Sequence, residues 1–259
     1  MFSRALPARR VIAMAAPSSG YQLKRFKYNS HYWILKLVED SKQRLRILDV
    51  GSADGYLGKI LKERGHYVDG IERDPQLAER ARLIYDRFYQ ADVDGFDFPE
   101  RAEYDLIIFA DVLEHLRDPA AVLRRCYGAL KEDGKIIISV PNVANFVVRL
   151  SLLFGHFDYR DLGILDRTHL RFFTLRTLTR LLQDCGLKVD RVVATPIPVQ
   201  LVWSVTDRHF FAPLHYCHFQ LVRLWKTLLA YQFVVQADGS GRVPAEAGGP
   251  VRSEPMAAR

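Results

Sequence analysis

Residues 47–58 read ILDVGSADGYLG and pass from strand-like sequence through a turn into helix-forming sequence. Ile47, Leu48 and Val50 belong to LRILDV (45–50), a run apolar enough to be buried on both faces, as strands of a parallel sheet are. Gly51 and Gly55 bracket Ser52, Ala53 and Asp54 where the strand must turn. Glycine has no Cβ, so the backbone there can bend sharply and a ligand can come close to it. The helix that follows is predicted from about Gly55 to Arg64, with Gly65 as its stop.

The same grammar repeats on both sides of this unit. HYVDGIE (66–72) is the second strand; Asp74 and Pro75 then form an N-cap and N1 pair that opens a helix through about Arg87. FYQADV (88–93) gives a short third strand and YDLIIFADV (104–112) the fourth. Asp118-Pro119 repeats the cap signature, and its helix is expected to end near Leu130. KIIISV (135–140) is the fifth strand, stopped by Pro141. Thr174 caps a helix with Leu175, Leu178, Leu181 and Leu182 on one face, ending at Gly186. LKVDRVVATPIP (187–198) and LLAYQFVVQA (228–237) supply strands six and seven. Strands alternating with helices predict an α/β fold around a parallel sheet, in one domain without internal repeats.

The chain has 259 residues, 49% hydrophobic and 26% charged, with no apolar run long enough to span a bilayer. Cys126, Cys185 and Cys217 are too few and too scattered for a disulfide framework or a zinc cluster, which fits a reducing, cytoplasmic compartment. Charge is uneven: in residues 1–48 ten Lys and Arg face only Glu39 and Asp40. That is a net +8, so the other 211 residues sum to about −1. Such a segment could attract an anionic substrate, nucleic acid or a membrane surface, but no aromatic-interleaved RNA-binding motif accompanies it. Residues 1–20 are read as a disordered or targeting extension, 21–238 as the folded domain and 239–259 as a disordered tail. Two segments fall outside the alternation: 142–173, leaving the carboxyl end of strand five, and the apolar helical insertion 199–227. Ligands bind at the carboxyl ends of strands in such sheets, so 142–173 is the natural substrate cover. The insertion could be core, lid, dimer surface or a helix facing a membrane.

Glu72 ends strand two, 21 residues beyond Gly51, where a carboxylate can accept hydrogen bonds from both ribose hydroxyls of an adenosine. A dinucleotide site wants G-x-G-x-x-G, and Ala53 and Tyr56 occupy its second and third glycine positions, so an oxidoreductase fits poorly. The ordered set ILDVGSADG, GIERD, QADV, YDLIIFADVLEHL and GKIIISVPN covers residues 45–142 and resembles the class I S-adenosylmethionine-dependent methyltransferases. More narrowly, it resembles small-molecule O-methyltransferases of the ubiquinone-biosynthesis type. The second glycine of that family's G-x-G-x-G is Ala53 here.

The resemblance implies a Rossmann-like, doubly wound, mostly parallel seven-stranded sheet with a reversed last strand. It places Gly51, Ser52, Asp54 and Gly55 along the methionine part of S-adenosylmethionine, Glu72 on the ribose and Arg73 beside the adenine. Asp92 would accept from the adenine amino group, with the backbone of Val93 beside it. Ala110 and Asp111 would face the sulfonium, and Tyr28 would cover the cofactor.

Methyl transfer to a hydroxyl needs a general base as well as positioning. His115, expected to begin the helix after strand four, is the first candidate; His169, with Asp166 as partner, is second and His156 third. Asp111, Glu114 and His115 with His169 also resemble the E-x-x-E-H pattern of metal-assisted O-methyltransferases, with Asp for the first Glu. A divalent cation is the lesser expectation beside S-adenosylmethionine. The leading function is methylation of a small molecule, on a hydroxyl of a quinone-like, phenolic or sugar acceptor. The aromatics of the cover (Phe146, Phe154, Phe157, Tyr159, Phe172 and Phe173) suit a planar acceptor. RNA or protein methylation and non-catalytic cofactor binding are the alternatives; nucleic acid is not an expected partner, and peripheral membrane contact is compatible. Oligomeric state is left open.

Overall fold

The structure is a computed structural model that describes residues 28–99, 102–198 and 212–241. The proposed extension 1–20, residues 199–211 of the apolar insertion and residues 242–259 of the tail lie outside the described residues. The strands are β1 (Arg46–Val50), β2 (Tyr67–Glu72), β3 (Arg87–Gln90), β4 (Tyr104–Ala110), β5 (Leu130–Pro141), β6 (Lys188–Thr195) and β7 (Gln232–Asp238). They form one sheet in the order β3-β2-β1-β4-β5-β7-β6. β1 to β5 pair in parallel, and β7 runs antiparallel to both β5 and β6. The strand order reverses between β2 and β4, on either side of β1, which puts the carboxyl end of β1 at the topological switch point.

Strand residues alternate between two cores. Leu48, Val50, Ile107, Phe109, Ile136 and Ile138 pack on one face, under α4 (Pro119–Tyr127) and α6 (Leu175–Asp184). Ile47, Leu106, Ile108 and Ile137 pack on the other, under α1 (Ser30–Glu39) and α2 (Tyr56–Glu63). Helices on both faces of a mostly parallel sheet make the fold doubly wound, as the motif order implies. The cap signals hold: Asp74 accepts from Gln76 and Leu77, Asp118 from Ala121, and Thr174 exchanges a capping box with Thr177.

Three local expectations need correction and one helix is new. The helix after Pro75, α3 (Pro75–Ala81), ends well before Arg87, because Tyr85 turns inward and is buried at 7% exposure. Its ring lies against Gly70, where a Cβ would stand 2.9 Å from it. β5 begins at Leu130 rather than 135, through a register shift opposite Tyr104 and Leu106. α1 was not anticipated; Asn29 caps it by accepting from the Tyr32 amide at 2.8 Å. His115 does not open a helix: it closes a single 3-10 turn, Leu113–His115, and α4 starts only at Pro119. The remaining helices are α5 (Phe146–Leu153) in the cover and α7 (Ala212–Leu224) and α8 (Lys226–Leu229) in the insertion. No helix among the described residues is long and apolar enough to cross a membrane.

Candidate active site

The turn after β1 is held from β2. The amides of Gly51 and Ser52 both donate to the Ile71 carbonyl at 2.9 Å, and Ala53 donates to Glu72 Oε2 at 2.9 Å. Glu72 Oε1 accepts from the Asp74 amide at 2.8 Å, so the carboxylate is fixed from two sides. Each of its oxygens keeps a second lone pair for a ligand hydroxyl. Gly51 stands at φ 70°, and a Cβ there would meet Val112 Cγ2 at 2.6 Å. Its glycine is thus required by the packing of the strand-four turn as well as by ligand approach. Ala53 takes φ 49° and Gly55 φ 87°, the latter as N-cap of α2.

Two buried polar residues beside this turn escaped the sequence reading. Asp49, inside β1, is buried, and Tyr85 donates to its Oδ2 at 2.6 Å. Burial pushes the Asp49 carboxyl up to about 7; the Tyr85 bond opposes this and nearby Glu72 adds to it. A carboxylate in the middle of an apolar strand was the available signal for Asp49; nothing local marked Tyr85.

Asp92 is exposed and caps the turn Val93–Gly95 by accepting from Asp94 at 3.0 Å, while Val93 is buried. Arg73 is exposed and close enough to His115 to repel its cationic form. The Tyr28 ring stacks on Phe219 of α7 with centroids 4.6 Å apart.

β4 ends in Ala110, half-buried, and Asp111 follows at φ 58°. The Asp111 carboxylate accepts from Ser139 Oγ at 2.5 Å and from Gln232 Nε2 at 3.1 Å. This points it toward β5 and β7, outside the group formed by Glu114, His115 and His169. One ligand atom from each of those three lies within 4.8 Å of the others. The expected four-residue convergence is therefore three, without Asp111. His156 is exposed and sits 3.7 Å from Asp158.

The cover brings His169 to His115. Its ends meet where Asn142 bridges Phe173, and its Leu170 and Arg171 amides donate to the Glu114 carbonyl at 2.8 and 3.0 Å. The imidazoles lie edge to face with centroids 4.9 Å apart. His115 Nδ1 donates to the Thr168 carbonyl at 3.3 Å and His169 Nδ1 to the Ile164 carbonyl at 3.1 Å. A carbonyl only accepts, so Nδ1 carries the proton in each ring and Nε2 holds a lone pair when the ring is neutral. Burial lowers both pKa values below the ordinary 6.5, and His169 is lowered further by its neighbour His115. Asp166 orders Thr168, accepting from its amide at 2.8 Å and its hydroxyl at 2.7 Å.

Comparison with known proteins gives the family and the fold. The family described as "Methyltransferase domain" matches residues 21–192, and the chain belongs to it. The ubiquinone biosynthesis O-methyltransferase of Xanthomonas axonopodis pv. citri is 26% identical over 153 residues, 57% of this chain and 64% of that one. The chain thus spans less than two thirds of that relative's length. The tRNA 5-carboxymethoxyuridine methyltransferase of Escherichia coli K12 is 29% identical over 136 residues, 49% of this chain and 52% of that one. A solved S-adenosylmethionine-dependent methyltransferase from Mesorhizobium loti shares the fold, with TM-score 0.56, 18% identity and coverage of 81% and 98%.

S-adenosylmethionine is the cofactor that family and fold imply. The turn fits it: the backbone at Gly51 leaves no room for a side chain, Glu72 has acceptor capacity to spare, and Asp54 Oδ1 is buried without a partner.

Proposed function

We propose that the chain methylates a hydroxyl of a small-molecule acceptor using S-adenosylmethionine, with the His115–His169 pair serving the acceptor. The cofactor, when bound, supplies an activated methyl on a sulfonium. Gly51, Ser52, Asp54 and Gly55 line its methionine part, Glu72 holds its ribose, and Arg73, Asp92 and Val93 border its adenine. Ala110 marks the sulfonium end and Asp111 supports that corner through Ser139 and Gln232. Tyr28, seated on Phe219, closes the cofactor side.

The observation that carries the reading is the pair itself. Two neutral imidazoles have their Nδ1 protons fixed on carbonyls and their Nε2 lone pairs available at the carboxyl end of β4. His169 Nε2 takes the acceptor proton as the oxygen attacks the methyl carbon and the methyl–sulfur bond breaks; His115 beside it disfavours the His169 cation and so keeps that lone pair free to receive the proton. Candidate acceptors are quinone-like, phenolic or sugar hydroxyls. The likeness to the ubiquinone-biosynthesis enzyme supports the first of these, and that to the tRNA enzyme keeps RNA methylation as the alternative.

The test is incubation with methyl-labelled S-adenosylmethionine and a panel of catechol, quinol, sugar and tRNA acceptors. Label on a small-molecule oxygen, lost in His169→Ala, supports the proposal. Label on tRNA alone, or turnover untouched by His169→Ala, overturns it.

A second reading makes the same lone pairs ligands. Glu114, His115 and His169 offer one carboxylate and two imidazoles, each imidazole anchored through Nδ1 as metal-bound histidines are. Activity lost in chelator and restored by magnesium or manganese selects it; full activity in chelator rejects it.

A further inference from the structure

Tyr231 stands one residue before β7, at the carboxyl end of β5, where Pro141 pairs with Gln232. Its backbone is pinned on both sides: the amide donates to the Thr195 carbonyl at 2.8 Å, and the carbonyl accepts from the Asn142 amide at 2.9 Å. The side chain reaches the cover. A Cβ built on Gly163 would lie 3.2 Å from the Tyr231 hydroxyl, and Gly163 takes φ 103°, a backbone that residues with side chains rarely adopt. The cover is thus shaped around that oxygen. The next residue, Ile164, supplies the carbonyl that fixes His169 Nδ1, so consecutive residues of one turn meet the phenol and orient the proposed base. The phenol is also within electrostatic reach of Asp111, which the adjoining Gln232 holds by two bonds of 3.1 Å.

A tyrosine that only fills space would not need its oxygen here. Tyr85, Tyr104 and Tyr127 donate to protein oxygens at 2.6, 2.8 and 2.8 Å. Tyr231 is half-buried, and among the described residues its hydroxyl has no hydrogen-bond partner. Phenylalanine would fill the same volume without that desolvation cost. Burial and the Asp111 charge raise the phenol above the ordinary 10.0, so it stays protonated and can only be a donor to an anionic or lone-pair partner at working pH.

We infer that Tyr231 is a further catalytic residue, whose hydroxyl donates a hydrogen bond to the acceptor oxygen that attacks the methyl group. The inference rests on the reaction proposed above. A hydroxyl oxygen carries one proton and two lone pairs. The proton goes to His169 Nε2, one lone pair forms the bond to the methyl carbon as the methyl–sulfur bond breaks, and the other accepts from Tyr231. Negative charge builds on the oxygen as its proton leaves. The Tyr231 bond is therefore stronger in the transition state than in the bound acceptor, and it raises kcat more than it lowers KM. It also fixes the direction in which the attacking lone pair points.

The test is Tyr231→Phe, which removes the hydroxyl and keeps the ring. The probes are catechol, hydroquinone and a methyl glucoside, each with methyl-labelled S-adenosylmethionine. For a probe that takes label, kcat should fall by about tenfold or more while KM changes by less than about threefold. Thermal midpoint and S-adenosylhomocysteine affinity should stay as in the unsubstituted chain. In a His169→Ala background the same substitution should cost less than about twofold, because the oxygen no longer loses its proton to the enzyme as it attacks. A hydroxyl needed only for packing would cost the same in both backgrounds. An unchanged kcat, a loss confined to KM, a rate loss matched by lost S-adenosylhomocysteine affinity, or an undiminished loss in the His169→Ala background overturns the inference and leaves the proposed reaction standing. No label on any of the three probes with the unsubstituted chain overturns the reaction and the inference together.

Discussion

The two halves of the site are built over different spans of chain. Around Gly51 the fixing contacts are short-range: Ala53 to Glu72 crosses 19 residues and Asp74 to Glu72 crosses 2. Around His169 they are long: His115 to Thr168 crosses 53 residues, and Gln232 to Asp111 crosses 121. The first half is one strand–helix–strand unit, pinned at the carboxyl end of β1. The second is assembled from a turn after β4, a cover that leaves β5 and returns, and a strand from the far end of the chain. Its outer surface carries most of the exposed large apolar side chains among the described residues. On the proposed reading, cofactor geometry is thereby decoupled from acceptor geometry, so that a family can keep one and vary the other.

That decoupling can be broken or sharpened by substitution. The largest expected effect is on chemistry alone: His169→Ala lowers kcat by about a thousandfold while S-adenosylhomocysteine affinity stays within about twofold. Rate assays beside calorimetric titration check it, and a parallel loss of cofactor affinity would show the halves to be coupled. The converse experiment is Glu72→Ala, which weakens cofactor binding by about a hundredfold, since two charge-assisted bonds are lost and the Ala53 amide is left unpaired. Glu72→Gln, which keeps an acceptor oxygen, should lose less.

Gly51→Ala comes next, costing about 2 kcal/mol of stability from the clash with Val112 and the left-handed backbone. Thermal melts of this variant with and without Val112→Ala divide the two causes: the second substitution relieves only the clash.

Asp49 gives a pH-dependent effect of similar or smaller size. Its carboxyl is raised from the ordinary 3.8 to about 7 in the fold. The stability it contributes is therefore fully present below the unfolded value and is lost as pH rises through 7. Between about pH 5 and pH 8 the native chain should lose about 2 kcal/mol more than Asp49→Asn, measured by denaturant titration. Equal pH slopes would refute the buried charge.

The smallest effect is a displacement of the pH–rate profile. The proposed reaction requires a neutral His169, so the rate should fall as pH drops through its pKa, which burial and His115 hold below 6.5. Replacing His115 by Gln removes the neighbouring charge and should move that acid limb upward. A limb that stays in place would assign the titration to another group.

Legibility followed the same division. Gly51, Glu72 and the Asp74-Pro75 cap were readable because a parallel strand, a tight turn and a helix start impose residue types on a stretch of about 30 residues. The length of α3 was misread because Tyr85 is drawn inward by Gly70 and Asp49, and helix periodicity carries no trace of that. Asp111 was grouped with Glu114 and His115 on spacing alone. Its left-handed backbone, set by the Ser139 hydrogen bonds, turns it away.

By itself, then, the sequence determined the doubly wound sheet, the cofactor turn and the identity of the residues around it, because these are local consequences of strand, turn and cap chemistry. Only the tertiary structure decided that His169 reaches His115, that both present Nε2, and that Asp111 does not join them. Those outcomes depend on single hydrogen bonds between segments about 50 to 120 residues apart, a separation at which chain order stops constraining neighbourhood.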